Sequence, residues 1–425
     1  MRFVQYDGGF KFDFIKESKG ELIINPVENF IVGQTMNKKT IYIFKKDSFP
    51  IREGLLHYST DTYIFGSSIE EKRIAGLRFT GGILANLFMP NKIEIDLDEN
   101  IYKVKFHDDS VNYQFSANGK DITIHIESLL SEKQGIRGRS LENRETSLEV
   151  TVDNGLSLSE IIPLYNAVLK MCQFLTFRKN IEFERIQLLE KDNISEHIVF
   201  TEFAQLHTMR TFKNLTAKTW LQCVSFEDLG SAIIPLFKSI YEEKEKKPSF
   251  SLDFLPEDEA DVYWISPDKI KKICTSLECE AALHKIKAEN NQVFKKLIDD
   301  VKLMVKQHEA GNSALPPKTY NVIRGSIEHW DFSASDKVKE LFHKYEEILI
   351  QPGCFRYSFS KFEDAIDAFI KYRNTTTHGN HMNITGELAD TAANLMNLIY
   401  ISRLDRSGMP LPVIKDKICQ GVVYR

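Results

Sequence analysis

The spacing of apolar residues changes once along this chain, and that change restricts it to a fold with two unlike halves. Over roughly residues 1–155 short apolar and aromatic runs alternate with polar residues, as in Thr40-Ile41-Tyr42-Ile43-Phe44, Ile93-Glu94-Ile95-Asp96-Leu97 and Ile122-Thr123-Ile124-His125-Ile126. A period of two is the mark of strands with one buried face. Asp7-Gly8-Gly9, Asn118-Gly119 and Asp153-Asn154-Gly155 supply turns between them. Regularly spaced short strands predict an antiparallel sandwich or barrel. Ser157-Leu158-Ser159-Glu160 then opens a helix that passes through Ile161, Leu164, Val168, Met171 and Leu175, with Pro163 in its first turn. Strand-like runs at Ile181–Leu189 and His197–Phe203 close this domain, and the polar, basic stretch from His207 to Ala217 reads as a linker.

From Ser225 onward the period is helical. Ser225-Phe226-Glu227-Asp228 starts a helix reaching about Glu245, with Pro235 a kink, and Ser266-Pro267-Asp268 starts a long one reaching about His308. Shorter helices are predicted near 318–330, 334–349 and 360–378, and Thr385 caps a final helix with the stripe Leu388, Ala392, Leu395 and Ile399. A tail containing Pro410 and Pro412 ends the chain. The expected architecture is α+β and multidomain. A mainly antiparallel β domain over 1–220 precedes an all-α bundle of five or six helices over 221–425.

Several function classes have no support. The 425 residues carry a formal net charge of −5, so any nucleic-acid contact must use a local basic cleft. The six cysteines are scattered; Cys274 and Cys279 fall in one predicted helix at a spacing that suits neither a zinc knuckle nor a redox pair. No leader pattern and no apolar run of about 18 residues is present, so a cytoplasmic protein without a membrane partner is expected. Walker, dinucleotide, zincin and nucleophile-elbow signatures are missing, and Gly81-Gly82 reads as a turn or bulge. No cofactor and no metal is indicated. Trp220, Trp264 and Trp330 read as core or interdomain anchors.

The stretch that carries chemistry is Arg373-Asn374-Thr375-Thr376-Thr377-His378-Gly379. Ser360 and Glu363 form a capping box, and Phe362, Ile366, Phe369 and Ile370 make one apolar stripe that ends where Arg373 begins. Three β-branched threonines weaken the helix there, and Gly379 suits its closure. Arg373 and His378 would lie about 140° apart on an ideal helix, so they converge on one ligand only if the helix unwinds or a second copy supplies the missing groups. The plain alternative is that Arg373 pairs with an acid such as Asp367 and His378 merely ends a helix.

An Arg, a polar residue, three variable positions and a His, placed after a long helix and before a final one, resemble the HEPN superfamily of ribonucleases. The layout of a β-rich domain followed by such a bundle also resembles ApeA-type anti-phage defence proteins. That likeness implies a metal-independent endoribonuclease that cuts cellular RNA, tRNA or another single-stranded RNA, in an abortive-infection role. It further implies a homodimer or higher even oligomer with a composite site, and an N-terminal domain that restrains the bundle until a phage-derived trigger arrives. The chemistry agrees: histidine titrates near working pH and serves as general base or acid, and arginine's planar fork matches phosphate oxygens. Arg373, His378 and Asn374 are the catalytic candidates, with Asn374 bonding the imidazole or the phosphate. Tyr372 either stacks on a base or fills core, Lys371 assists phosphate binding, and His381 either joins the site or sits in a surface loop. Arg403, Arg406 and the Lys-rich faces of the 268–308 helix read as solvated surface. The competing reading is a HEPN module that binds nucleotides or proteins without cutting.

Overall fold

The computed structural model of the chain describes residues 2–6, 9–15, 30–34, 37, 39–44, 55–67, 74–88, 110–135, 138–194, 197–208, 224–243, 250–257, 261, 264–286, 292–311, 315–327, 333–350, 362–377 and 383–419. The expected Ile93–Leu97 strand, the Asp7-Gly8 turn, Trp220 and Trp330 lie outside them. Two compact units follow one another, Met1–Glu245 and Lys246–Arg425. An antiparallel β region is followed by a helical region, as the change of period predicts.

In the first unit, β7 (Ile74–Thr80) lies near the middle of a nine-stranded sheet, between β10 (Gly138–Val152) and β11 (Arg185–Ile194). Both pairings are antiparallel and in one register: Phe79 faces Leu148 on one side and Ile186 on the other, and Leu77 faces Val150 and Leu188. These six side chains are buried, and the period of two is what aims them at one core. Helix α1 (Gly82–Leu87) follows β7, its start marked by Gly81 at φ 143. Helix α2 (Leu158–Leu175) opens on a capping box, with the Ser157 amide donating to Glu160 at 2.9 Å, and Tyr165 stacks on Phe79 at 6.4 Å. Pro163 falls beyond the first turn, because the helix begins at Leu158. A separate three-stranded sheet contributes Phe10 and Phe12 from β2 (Gly9–Ile15), which cluster with Ile31, Ile41 and Ile43 of the larger sheet.

Gly76 sits where the large sheet leaves no room for a side chain. A methyl there would meet the Val150 carbonyl oxygen and lie 2.8 Å from Thr151 Cα, both backbone atoms. Gly76→Ala is therefore expected to destabilise the first unit by at least the roughly 1–3 kcal/mol typical of overpacking. Urea unfolding followed by circular dichroism checks it, and an unchanged midpoint would contradict the account of β7.

The division between units differs from the one that sequence texture suggests. Helices α3 (Phe226–Leu229) and α4 (Ile233–Tyr241), separated by a 3-10 turn that ends three residues before Pro235, belong to the first unit. Phe237 packs edge-on against Phe115 at 5.8 Å, Lys170 pairs with Glu243 at 2.7 Å, and Asn118 donates to the Tyr241 carbonyl at 3.2 Å. The apolar face of α4 covers α2 and the edge strand β8 (Ser110–Ala117), which the helical period alone could not reveal.

The second unit contains seven helices among the described residues: α5 (Pro267–Leu283), α6 (Gln292–Glu309), α7 (Pro317–Ile327), α8 (Ala334–Leu349), α9 (Phe362–Thr377), α10 (Gly386–Arg406) and α11 (Leu411–Cys419). The single helix expected over 268–308 is two. It ends at His284 because Lys285 adopts φ 54 and turns the chain back, with the Ile286 amide donating to the Ala281 carbonyl at 3.1 Å. The Pro410–Pro412 tail is also helical, since both prolines fall at the start of α11 where a missing N–H costs little. Helix α10 is buried on every side from Thr391 to Leu404 and forms the centre of the unit, contacting α5, α8, α9 and α11. Trp264 is 72% exposed and anchors no core, contrary to expectation.

Candidate functional site

Helix α9 buries Phe362, Ile366, Phe369, Ile370 and Tyr372 and presents Arg373 at the edge of that face. Arg373 Nη2 donates to a carboxylate oxygen of Glu278 on α5, and Nη1 donates to Asn374 Oδ1 at 3.0 Å. The Cys274 thiol lies on the same side of α5, one turn earlier. Burial pushes it up to about 11, against the pull of the Arg373 guanidinium bonded to it, so it stays a neutral thiol rather than a nucleophile. The guanidinium is thus fixed by two helices, with 26% of the side chain open to solvent. An arginine has five N–H donors, and Glu278 and Asn374 each accept from one of them.

The helix continues through the threonine run to Thr377, in line with the helix expected near 360–378. Thr375 Oγ1 donates to the Lys371 carbonyl at 2.9 Å, Thr376 Oγ1 to the Tyr372 carbonyl at 3.0 Å, and Thr377 Oγ1 to the Arg373 carbonyl at 2.7 Å. Back-bonding of this kind lets a hydroxyl side chain sit within a helix. The backbone stays helical through Thr377, so any unwinding begins no earlier than His378. His378, Gly379 and His381 lie outside the described residues, as does Ser360 of the expected capping box.

The other expected site residues separate. Tyr372 is 1% exposed and fills core, the second of its two readings. Lys371 is exposed. In the plain alternative an acid such as Asp367 pairs with Arg373; the acid is Glu278, while Asp367 binds Lys339 at 2.8 Å and the Ser335 hydroxyl on α8. Glu363 lies 3.1 Å from His343 Nε2.

Glu278 and Cys274 were not singled out by sequence reasoning, because one Glu on a helix rich in Lys and Glu carries no distinguishing mark. A second omission did carry a signal. Arg403 is fully buried, not solvated: its Nε donates to Glu280 Oε1 at 2.8 Å, Nη1 donates to the Ser251 carbonyl at 2.6 Å, and Phe250 and Phe254 cover its plane at 4.7 and 4.9 Å. Arg406 reaches the same carboxylate at 3.2 Å, and Ser402 Oγ donates to its other oxygen at 2.9 Å. This knot lies on the α10 side of α5, away from the face that carries Glu278.

Among the described residues no group of His, Cys, Asp and Glu has the arrangement to hold a metal ion, and no helix is long and apolar enough to cross a membrane. Comparison with known protein families, with curated proteins and with solved structures finds no match.

Proposed function

We propose that the chain is an endoribonuclease of the HEPN type, cutting cellular RNA without a metal ion by attack of a 2′-OH on the adjacent phosphorus. The observation that carries the reading is the setting of Arg373. A guanidinium is held at the end of an amphipathic helix by Glu278 and Asn374, on a partly open surface, five positions before His378. In this reading Arg373 clamps the phosphate oxygens and steadies the charge that builds on phosphorus, and Asn374 orients its partner. His378 takes or returns the proton, and Lys371 adds a screened positive charge. One Arg and one His do not suffice for base, acid and clamp together, so two copies contribute to each site. The first unit senses the trigger and keeps the second idle until then.

The test uses the purified full chain, total RNA and a chelator. Discrete fragments with 5′-hydroxyl and 2′,3′-cyclic phosphate ends are expected, and mapping of those ends identifies the RNA class. Fragments that vanish with chelator, or that carry 5′-phosphates, would overturn the reading. A second reading has its own support, since the Glu278 carboxylate already neutralises Arg373 within one chain. A binding module that does not cut would leave RNA intact while retaining nucleotides or a protein partner.

A further inference from the structure

We propose that His284 is a proton-sensitive latch at the junction of α5, α8 and α10, which closes only around a neutral imidazole carrying its proton on Nε2. The hydrogen bonds determine the tautomer. Lys344 Nζ lies 3.0 Å from His284 Nδ1, and an ammonium only donates, so Nδ1 must offer its lone pair. The proton is then on Nε2, which points at Ser402 Oγ at 2.8 Å and more distantly at the Tyr345 hydroxyl at 3.3 Å. Both hydroxyls are free to accept there, because each has its own acid to donate to. Ser402 donates to Glu280 at 2.9 Å, and Tyr345 donates to Asp405 at 2.6 Å. Every donor in the chain of bonds has an acceptor, and only this tautomer satisfies them all.

Adding a proton to Nδ1 breaks the pattern at one place. The new N–H would face the Lys344 ammonium, two donors and two positive charges in contact. Lys344 is already held by Asp405, 3.0 Å from its Nζ, so it turns to that partner alone, and its bond from α8 to the end of α5 is lost while the Tyr345 contact at 3.3 Å remains. The groups facing the imidazole are Glu280 from α5, Lys344 and Tyr345 from α8, and Ser402, Asp405 and Arg406 from α10. Burial holds the His284 pKa below its ordinary value, with Lys344 and Arg406 acting in the same direction and Glu280 and Asp405 against it. The folded chain therefore binds this proton less readily than the unfolded one. The latch's stabilisation is present above the ordinary histidine pKa of about 6.5 and is lost as pH falls through the lower folded value. The inference does not depend on the catalytic reading, because the latch and Arg373 use different faces of α5.

Histidine-labelled full chain, followed by nitrogen NMR through a pH titration, tests it, with His284→Gln used only to assign the resonance. The expected result is a neutral Nε2–H tautomer titrating below about pH 6.5. Lys344→Met removes an exposed side chain without touching the core and should move the His284 pKa upward. An Nδ1–H tautomer, a pKa at or above the ordinary value, or no response to Lys344→Met would each overturn the proposal.

Discussion

Arg373→Ala and His378→Ala are each expected to reduce RNA cleavage by about 10²–10⁴-fold while the chain stays folded. In the proposed mechanism the histidine variant removes the proton-transfer group, and the arginine variant removes the clamp on the phosphate. Arg373→Lys is the informative companion. It restores the charge but not the planar fork, so partial recovery separates charge from geometry. Glu278 loses its partner in Arg373→Ala and its guanidinium contact in Arg373→Lys, and for that reason cleavage must be measured beside a thermal unfolding midpoint. A normal midpoint with no cleavage supports the assignment. Full cleavage by either alanine variant refutes it.

Glu280→Ala is expected to be the most damaging substitution in the second unit. The carboxylate and its Arg403 partner are both 0% exposed, and the same carboxylate accepts from Ser402 and Arg406. Removing one half of such a pair leaves a charge without compensation in a dry interior, which costs about 3–5 kcal/mol. Burial alone already works against the charged form of Arg403, and Glu280 is the group that opposes it. Removing both charges together, as Glu280→Gln with Arg403→Met, should cost less than Glu280→Ala alone. Urea unfolding of the two variants decides the matter: a mild single substitution, or a double one that is worse, would show that the pair does not organise this core.

The fold was legible where one periodicity runs unbroken, as in β9 (Lys120–Gly135), whose Ile122, Ile124 and Ile126 are all buried, and in α9 with its apolar stripe. It was not legible at the end of α5. The apolar and charged pattern continues past His284, and only a left-handed Lys285 breaks it, a conformation that no lysine announces. Nor could the sequence say that α4 belongs with strands rather than with helices, since an apolar helical face records that something covers it and not what. Arg373 was readable from its motif, whereas Glu278 was not, because a surface pair across two helices leaves no trace in either. Glu280 and Arg403 are a different case. Each falls where the apolar stripe of its helix should continue, seven after Ile273 and four after Ile399. A charge on a core face implies a buried partner, and here the two imply each other.

The placement of α3 and α4 bears on how this molecule can be taken apart. A cut at the change of sequence texture, near residue 220, would strip both helices from the first unit and α4 from the helix and edge strand it covers. Phe115, Lys170 and Asn118 would lose their partners, and the apolar faces of α2 and α4 would be left bare on separate pieces. Such pieces would stick to one another or to themselves, and an assay on either would report that exposed surface rather than the unit's own properties. The seam that leaves both cores intact runs between Glu245 and Lys246.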